Sequence, residues 1–211
     1  MSAVTSARAV ARYRERGLLI PGAGLGAGRP FTGGPGAVLG EGAAALVLET
    51  QERAKGKPAH GLLAGWGSAR AVEGRVGLAG AFRAAAEAAL AAGGIGPEEV
   101  GLVLPHGGCE ASVEAAETEA LAGLFGRRRP LALATKGALG HLLGGAPVAD
   151  LLIALRCLAE KAVPPSPRRG DGAGGALRFP SEPERAEGLR RALVLSCGLD
   201  GVCGALLAAA G

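Results

Sequence analysis

The sequence predicts an α/β protein with a mixed β-sheet. Apolar segments typical of buried strands alternate with Ala-rich helical segments along the chain. Two apolar segments near the C-terminus, separated only by a short turn containing Gly and Asp, indicate a closing antiparallel hairpin. Of the 211 residues, 48 % are hydrophobic and only 3 % are aromatic. The core must therefore be built mainly from Ala, Leu and Val.

The N-terminal segment predicts a surface helix and a long loop. Residues 3–16 show amphipathic helical spacing, and the Gly- and Pro-rich residues 21–36 predict a loop. Within this loop, GAGLGA (22–27) fits a loose dinucleotide-binding fingerprint, which requires a helix directly after it to bind the pyrophosphate. Pro30 and a further run of Gly and Pro follow instead. The segment is therefore interpreted as a loop and not as a nucleotide site.

The rest of the chain alternates between strand-like and helix-like segments. The Ala-rich residues 78–94 end in Gly-Gly, a typical helix terminus, and Gly126 ends a second helical segment. The predicted elements are strands at 42–50 and 60–67, a helix at 78–94, a short buried strand ending at Pro105-His106, a helix at 111–126, a strand at 131–135, a helix beginning between 140 and 147 and ending near 160, and a hairpin of 191–198 with 203–210. We expect one domain, 1–211, in which an N-terminal helix and Gly-rich loop (1–41) precede an α/β core (42–211).

Composition argues against several functional classes. The net charge is +4, the basic residues are scattered, and one Trp and one Tyr cannot form a stacking surface for nucleic acid. No apolar run reaches the length of a membrane span, since Lys136, His141 and Asp150 interrupt the longest candidate. The four cysteines lack the paired spacing of a zinc site and are interpreted as reduced thiols of a cytoplasmic protein. They are Cys109, Cys157, Cys197 and Cys203.

Three ionisable residues lie where apolar strands are predicted to end. His106 follows the strand in LVLPHGG, and Lys136 and His141 lie in LALATKGALGH, between a strand and the next helix. Ligand-facing groups in α/β sheets commonly occupy the carboxyl ends of strands. A His at a helix N-terminus stays neutral and can donate one hydrogen bond, although a single His is more often a core residue bonded to a backbone carbonyl. The residues alone indicate an acyl- or carbonyl-binding site.

Six sequence blocks resemble, in order and approximate spacing, those of the β-ketoacyl-acyl-carrier-protein synthases. The blocks are RPF, LGEGAAALVLE (39–49), PHGG with ETEAL, ATKGALGHLLGGA, AVPPS and LSCGLDGVCGALL. These synthases are condensing enzymes of the thiolase superfamily. The resemblance covers about Arg29 to Leu207. It implies a thiolase-like half, equivalent to the C-terminal half of a synthase: one α/β unit with a mixed five-stranded sheet and helices on both faces.

The resemblance also implies roles for the site residues, because the family uses a Cys-His-His site with a supporting Lys. His106 and His141 correspond to the two histidines and Lys136 to the lysine. Glu117 is implied as the ion-pair partner of Lys136. The implied substrate-contacting positions are Gly107, Gly108, Gly198 and Leu199. The resemblance implies no metal, and no cofactor other than the phosphopantetheine carried by the acyl-carrier-protein substrate.

The family's nucleophilic Cys lies in its N-terminal half, so none of the four cysteines here is expected to take that role. The resemblance therefore implies one subunit of a split synthase, to which a homologous chain supplies the N-terminal half with the Cys. The alternative is a catalytically silent thiolase-fold partner, structural or chain-length-determining, of an active condensing enzyme. Gly108 and Glu110 stand where the family usually has Thr, which favours the alternative, whereas the retained His and Lys residues favour a site.

The last predicted helix indicates a protein partner. From Val148 to Glu160 its only polar side chains are Asp150, Arg156 and Glu160, which fall within about a third of the helix circumference. The remaining surface is apolar, so this helix is expected to be buried from two directions. One direction is its own sheet, and the resemblance implies that the other is a homologous chain in a hetero-oligomer.

Overall fold

The computed structural model describes residues 2–3, 7–20, 28–31, 36–72, 77–166 and 176–211. The strands are β1 (Ser2–Ala3), β2 (Gly42–Ala43), β3 (Leu62–Arg70), β4 (Leu102–Leu104), β5 (Leu131–Ala132), β6 (Ala162–Val163), β7 (Glu184–Arg185), β8 (Arg191–Cys197) and β9 (Val202–Ala209). The α-helices are α1 (Ala7–Glu15), α2 (Gln51–Ala54), α3 (Leu78–Ala92), α4 (Ala111–Phe125), α5 (Lys136–Leu139) and α6 (Ala146–Glu160). The dinucleotide-like run at 22–27 lies outside the described residues.

Five strands form a mixed sheet in the order β3-β9-β8-β4-β5. β9 pairs antiparallel with both β3 and β8, whereas β4 pairs parallel with both β8 and β5. The predicted closing hairpin is confirmed as β8 and β9. The parallel strands β4, β5 and β8 all point their carboxyl ends to the same edge of the sheet, where candidate site residues follow them.

Helices cover both faces of this sheet, as predicted. Alternate residues of each strand point to opposite faces, so that Leu193 packs towards α3 and α4 while Val194 packs towards α6. The first face contains the Ala-rich side of α3 with Phe82, and the second contains Leu151 and Leu158 of α6. The predicted helices at 78–94, 111–126 and near 147–160 are therefore confirmed as the two outer layers.

Glycines in β3 allow α3 to lie very close to the sheet. A Cβ at Gly65 would lie 2.2 Å from the carbonyl oxygen of Ala89, and one at Gly67 would lie 2.3 Å from that of Ala85. Ala85 and Ala89 are fully buried on the facing side of α3. Small residues on both surfaces explain how this chain fills a core with few aromatic side chains.

The N-terminal predictions were partly wrong. The segment 42–50 was predicted to be a strand, but only Gly42–Ala43 pairs, antiparallel to Ser2–Ala3. Residues 44–50 belong to no strand, and Val47 and Leu48 are 89 % and 66 % exposed. The predicted helix at 3–16 begins only at Ala7, because Ala3 pairs with Gly42 instead. A β-prone sequence forms a strand only where a neighbouring strand accepts its hydrogen bonds, and no described strand lies beside 44–50.

Two short elements also differ from the predictions. The strand predicted at 131–135 ends at Ala132, because Thr135 already precedes the short helix α5. A 3₁₀ turn over Leu143–Gly145 then leads into α6. Within the described part of the chain, no helix is both long and apolar enough to cross a membrane.

Candidate active site

Residues from three parallel strands meet at one cavity. His106 follows β4, Lys136 follows β5, and Cys197 ends β8. Together with His141 and Leu199 they line a cavity of about 330 Å³. A second space of about 250 Å³ shares His106, His141, Cys197 and Leu199 with the first. The structure therefore brings the two histidines and the lysine, identified separately in the sequence, to one cavity.

The two imidazole rings lie together, with their centroids 5.3 Å apart and their planes at 73°. The backbone N–H of Cys197 donates to Nδ1 of His106 over 3.2 Å, and that of Leu143 donates to Nδ1 of His141 over 3.0 Å. A nitrogen that accepts a hydrogen bond cannot carry the proton of a neutral ring. Both rings therefore carry their proton on Nε2, and each offers one N–H donor.

Burial keeps both rings neutral. Loss of solvation, and after it the charge of the Lys136 ammonium, together lower the pKa of His141 from 6.5 to about 3. The pKa of His106 is also lowered well below its ordinary value, first by burial and then by the charge of Lys136. The sequence correctly predicted a neutral His141, but the cause is burial and not a helix N-terminus, since His141 follows α5 and precedes α6 by five residues.

The carboxylate that pairs with Lys136 is Asp150, not Glu117 as predicted. Lys136 Nζ lies 3.5 Å from Oδ2 of Asp150, and both side chains are about 4 % exposed or less. Thr135 Oγ1 donates to the other carboxylate oxygen over 2.6 Å. Asp150 was assigned to the polar, outward stripe of the last helix, but it is buried and points to the site. Asp150 could have been found by the signal that identified Lys136, because both are ionisable residues within an otherwise apolar segment.

Glu117 instead fixes the turn that carries His106. Its two carboxylate oxygens accept the backbone N–H groups of His106 over 2.6 Å and of Gly107 over 3.0 Å. The side chain is fully buried, and burial raises its pKa to about 7, although the two backbone hydrogen bonds and the charge of Lys136 oppose the rise. Gly107 has φ +48°, which favours glycine in this turn. Glu117 thus acts as a positioning residue.

The four predicted substrate-contacting residues divide into two pairs. Gly198 and Leu199 line both cavities. Gly107 and Gly108 lie on the turn beside His106 and are not among the residues that line either cavity. A Cβ at Gly108 would lie 2.7 Å from His106 Nε2, so the imidazole occupies the space that a side chain at this position needs.

The cysteines differ in their access to the cavity. Cys109 and Cys157 are buried, and burial raises the pKa of their thiols to about 12 and about 11 respectively. Cys197 lines the cavity, whereas Cys203 is completely buried behind it. That the nucleophile of the reaction lies outside this chain stays a prediction.

Comparison with known proteins agrees with this architecture. The model of the family "Beta-ketoacyl synthase, C-terminal domain" matches residues 67–168. The chain is 31 % identical over 185 residues to 3-oxoacyl-[acyl-carrier-protein] synthase 2 of Vibrio cholerae, covering 82 % of this chain and 44 % of that protein. It is 34 % identical over 180 residues to the ketoacyl synthase beta subunit of the tetracenomycin polyketide synthase of Streptomyces glaucescens, covering 82 % and 43 %.

Solved structures share the fold over the whole chain. The ishigamide ketosynthase/chain length factor has a TM-score of 0.85 at 24 % identity, covering 100 % of this chain and 52 % of that one. The AntDE:AntF complex, a type II polyketide-synthase acyl-carrier protein with its ketosynthase, gives 0.89 at 22 %, covering 100 % and 55 %. The chain spans less than half the length of the curated relatives described above.

The chain therefore has the fold of one half of these ketosynthase structures. This chain belongs to the β-ketoacyl synthase family, in which it corresponds to the C-terminal domain.

Proposed function

We propose that this chain supplies His106, His141 and Lys136 to a decarboxylative condensing site, which a homologous thiolase-like half on another chain completes with a nucleophilic Cys. The observation that carries the proposal is the pair of neutral imidazoles, 5.3 Å apart, whose Nδ1 atoms are both occupied by backbone donors. Their two Nε2–H groups suit an oxygen that acquires negative charge. In this proposal residues 1–211 act as one unit.

The reaction supported by this geometry is a Claisen condensation. Malonyl-acyl-carrier protein loses carbon dioxide, and the electron pair of the broken C–C bond forms an enolate at the thioester. The two Nε2–H donors stabilise the enolate oxygen, each contributing about 3 kcal/mol in a site without water. The enolate carbon then attacks an acyl group on the partner's Cys, and the Cys thiolate leaves. The phosphopantetheine of the carrier protein is the only prosthetic group in this scheme.

Lys136 has a positioning role in this reaction. Burial is the main cause of the lowered pKa of both histidines, and the Lys136 ammonium acts in the same direction, so that neither ring becomes an imidazolium at neutral pH. A neutral ring with Nδ1 occupied presents one fixed donor, whereas an imidazolium would lose its Nδ1 hydrogen bond and turn. Asp150 balances the lysine charge at 3.5 Å.

An exposed apolar surface supports the homologous partner. Val47 and Leu48 are exposed, and Leu46 packs against the same hydrophobic cluster as Ile153 and Leu155 of α6. We call Val47 and Leu48 together with the half-buried residues Leu152, Ile153 and Leu155 the α6 surface. The ishigamide relative is named as a ketosynthase/chain length factor, and the AntDE:AntF structure as a complex with an acyl-carrier protein. A partner covering the α6 surface would bury more than about 2,000 Å² in total, as obligate interfaces do.

A second candidate is a catalytically silent partner that shapes an active synthase. Glu110, at a position where Thr is usual in the family, lines the smaller cavity, and Gly108 lacks the side chain that would reach substrate. A carboxylate on the wall of a cavity disfavours an anionic malonyl group. One relative, moreover, is named as a ketoacyl synthase beta subunit.

One experiment separates these functions. The chain is co-expressed with the products of neighbouring reading frames, the complex is purified, and carbon dioxide release from malonyl-acyl-carrier protein is measured. His141→Ala is expected to lower the rate by about 10²-fold or more, the effect of losing one oxyanion donor. His60→Ala is the matched control, because His60 is exposed and does not line either cavity.

The outcomes distinguish the two candidates. A rate that falls with His141→Ala and not with His60→Ala supports the condensing site. A complex that decarboxylates malonyl-acyl-carrier protein equally well with His106→Ala or His141→Ala supports the silent partner. If no homologous chain binds and no carbon dioxide is released, both candidates are wrong.

A further inference from the structure

Two thiols face each other at the turn end of the β8–β9 hairpin. Cys197 and Cys203 are directly opposite in the register, and their Sγ atoms are 3.6 Å apart. The next pair towards the turn is bonded, since Gly198 N donates to Val202 O over 2.8 Å. Bonded and non-bonded pairs alternate in antiparallel ladders, so Cys197 and Cys203 form a non-bonded pair, whose Cα atoms are about 4.5 Å apart. That spacing lies within the range of disulfides.

The two thiols have unequal environments. Cys203 is fully buried, whereas Cys197 is half-buried and lines both cavities. The Cys203 thiol donates to Cys197 Sγ, and this hydrogen bond lowers the pKa of Cys197 and raises that of Cys203. Cys197 is therefore the sulfur that is both accessible from the cavity and more easily ionised.

We propose that Cys197 and Cys203 form a reversible disulfide when hydrogen peroxide enters the cavity. The Cys197 thiolate attacks a peroxide oxygen, the O–O bond breaks, and the released hydroxide takes a proton to become water. Cys203 sulfur then attacks the sulfenic acid on Cys197, forming the S–S bond, while hydroxide leaves with the Cys203 proton as a second water. Two thiols lose two electrons and two protons in total, and one hydrogen peroxide is reduced to two waters.

The disulfide would act on the candidate active site through His106. The backbone N–H of Cys197 is the donor that occupies Nδ1 of His106. A disulfide changes the side-chain angles of Cys197, replaces the thiol–thiol hydrogen bond and removes a thiol from the cavity wall. Oxidation therefore alters the residue that sets the tautomer of His106, and this coupling does not depend on the reaction proposed above.

Peptide mass spectrometry tests the proposal directly. The 211-residue chain is reduced, freed of reductant, treated with equimolar hydrogen peroxide and alkylated before digestion with trypsin. Trypsin releases residues 192–211 as one peptide that contains Cys197 and Cys203, while Cys109 and Cys157 lie in other peptides. We expect the 192–211 peptide to lose two hydrogens and carry no alkyl group, and to regain two alkylation sites after reduction.

Two variants sharpen the test. In Cys203→Ser the resolving thiol is absent, so Cys197 should accumulate as a sulfenic acid that dimedone traps. Cys157→Ser is the matched control and should still form the disulfide.

In the NMR spectrum, oxidation should shift the imidazole resonances of His106 and leave those of exposed His60 unchanged. Full alkylation of both Cys197 and Cys203 after peroxide treatment, in a folded chain, would overturn the proposal.

Discussion

Lys136 and Asp150 are two buried charges that depend on each other. Their side chains are almost completely removed from solvent, and the nearest polar support is the hydroxyl of Thr135. Breaking such a pair costs more than the pair contributes, because the remaining ion stays buried without a counter-charge. The pair therefore makes the site sensitive to any single substitution at either position.

Lys136→Met should be strongly destabilising. The variant leaves the Asp150 carboxylate buried alone, so we expect the free energy of unfolding to fall by about 3–5 kcal/mol in urea titrations. The double variant Lys136→Met/Asp150→Leu should recover most of this loss, because it removes both charges. Arg156→Ala, which breaks an exposed pair with Glu160 on the same helix, is the control and should change stability by less than about 0.5 kcal/mol. Equal stability of Lys136→Met and wild type would contradict the assignment.

Stability should decline in acid because of His141. Between about pH 3 and 6.5 the unfolded chain binds a proton at this residue and the folded chain does not. The free energy of unfolding therefore falls as pH falls, by up to about 1.4 kcal/mol per pH unit. Glu117 acts oppositely between 4.5 and about 7, where the folded state holds the extra proton, so the decline should be steepest below pH 4.5.

Urea unfolding across this pH range measures the effect. His141→Asn keeps an acceptor for the Leu143 N–H but cannot titrate, so its decline below pH 4.5 should be shallower than that of wild type. His60→Asn changes an exposed histidine and should leave the wild-type slope intact. Parallel curves for His141→Asn and wild type would show that His141 is not held neutral by the fold.

The sequence identified the histidines and Lys136 because ionisable residues are conspicuous at the ends of apolar strands. It assigned the counter-charge to Glu117, and this was wrong. Asp150 lies fourteen residues beyond Lys136, and only the turn through α5 and Leu143–Gly145 brings them together. Spacing along a helix indicated which residues share a side, but not which side faces the site. The tautomers of His106 and His141 likewise depend on backbone N–H groups that composition does not reveal.

At the scale of elements, close contact between α3 and β3 explains the unusual composition. The alanines of α3 face Gly65 and Gly67, and a Cβ at either glycine would lie well inside contact distance of a helix carbonyl oxygen. The backbone of β3 cannot move away without disturbing its pairing with β9. The contact therefore has no room for even one additional methyl group.

The substitution Gly65→Ala should push helix α3 away from the sheet. We expect a loss of about 1–3 kcal/mol in the free energy of unfolding, as for overpacked cores. Gly188→Ala is the matched control, because the same methyl group at this position, in the turn before β8, would meet nothing within 4 Å. Circular dichroism during thermal unfolding compares the two variants. A Gly65→Ala chain as stable as Gly188→Ala would contradict the close packing.

Elements were predicted correctly where the chain supplies its own packing partner. The helices α3, α4 and α6 and the hairpin β8–β9 each bury an apolar side against the same sheet, so local periodicity and tertiary structure agree. The segment 42–50 has the composition of a strand, yet only Gly42–Ala43 pairs. Its remaining backbone has no described strand beside it, and a sequence pattern cannot show whether such a neighbour exists.

At the scale of the whole molecule, the α6 surface leaves large apolar side chains exposed to solvent. Its half-buried residues Ile153 and Leu155 pack against the cluster under α6, and its exposed residues Val47 and Leu48 follow Leu46, which packs against the same cluster. We expect the purified chain to associate through this surface at micromolar concentration, either with a homologous chain or with itself. Sedimentation velocity should show a complex for wild type and a folded monomer for Val47→Lys/Leu48→Lys.

A control variant tests whether the α6 surface is responsible. Val72→Lys changes another exposed apolar residue that follows β3 and lies outside the α6 surface. This variant should associate like wild type. A wild-type chain that stays a stable, well-folded monomer would show that the α6 surface needs no partner.

The need for a partner at the α6 surface has a consequence in the cell, because residues 45–50 lie at this surface outside any strand. Residues 45–50 belong to no strand, and Val47 and Leu48 are exposed, so proteases that cleave at apolar residues can reach this segment. If a partner chain pairs with this segment, its backbone bonds are occupied and cleavage stops. Unassembled copies would then be removed while assembled copies persist, so the cell would hold the two halves in matched amounts through the lifetime of the protein and not through its synthesis.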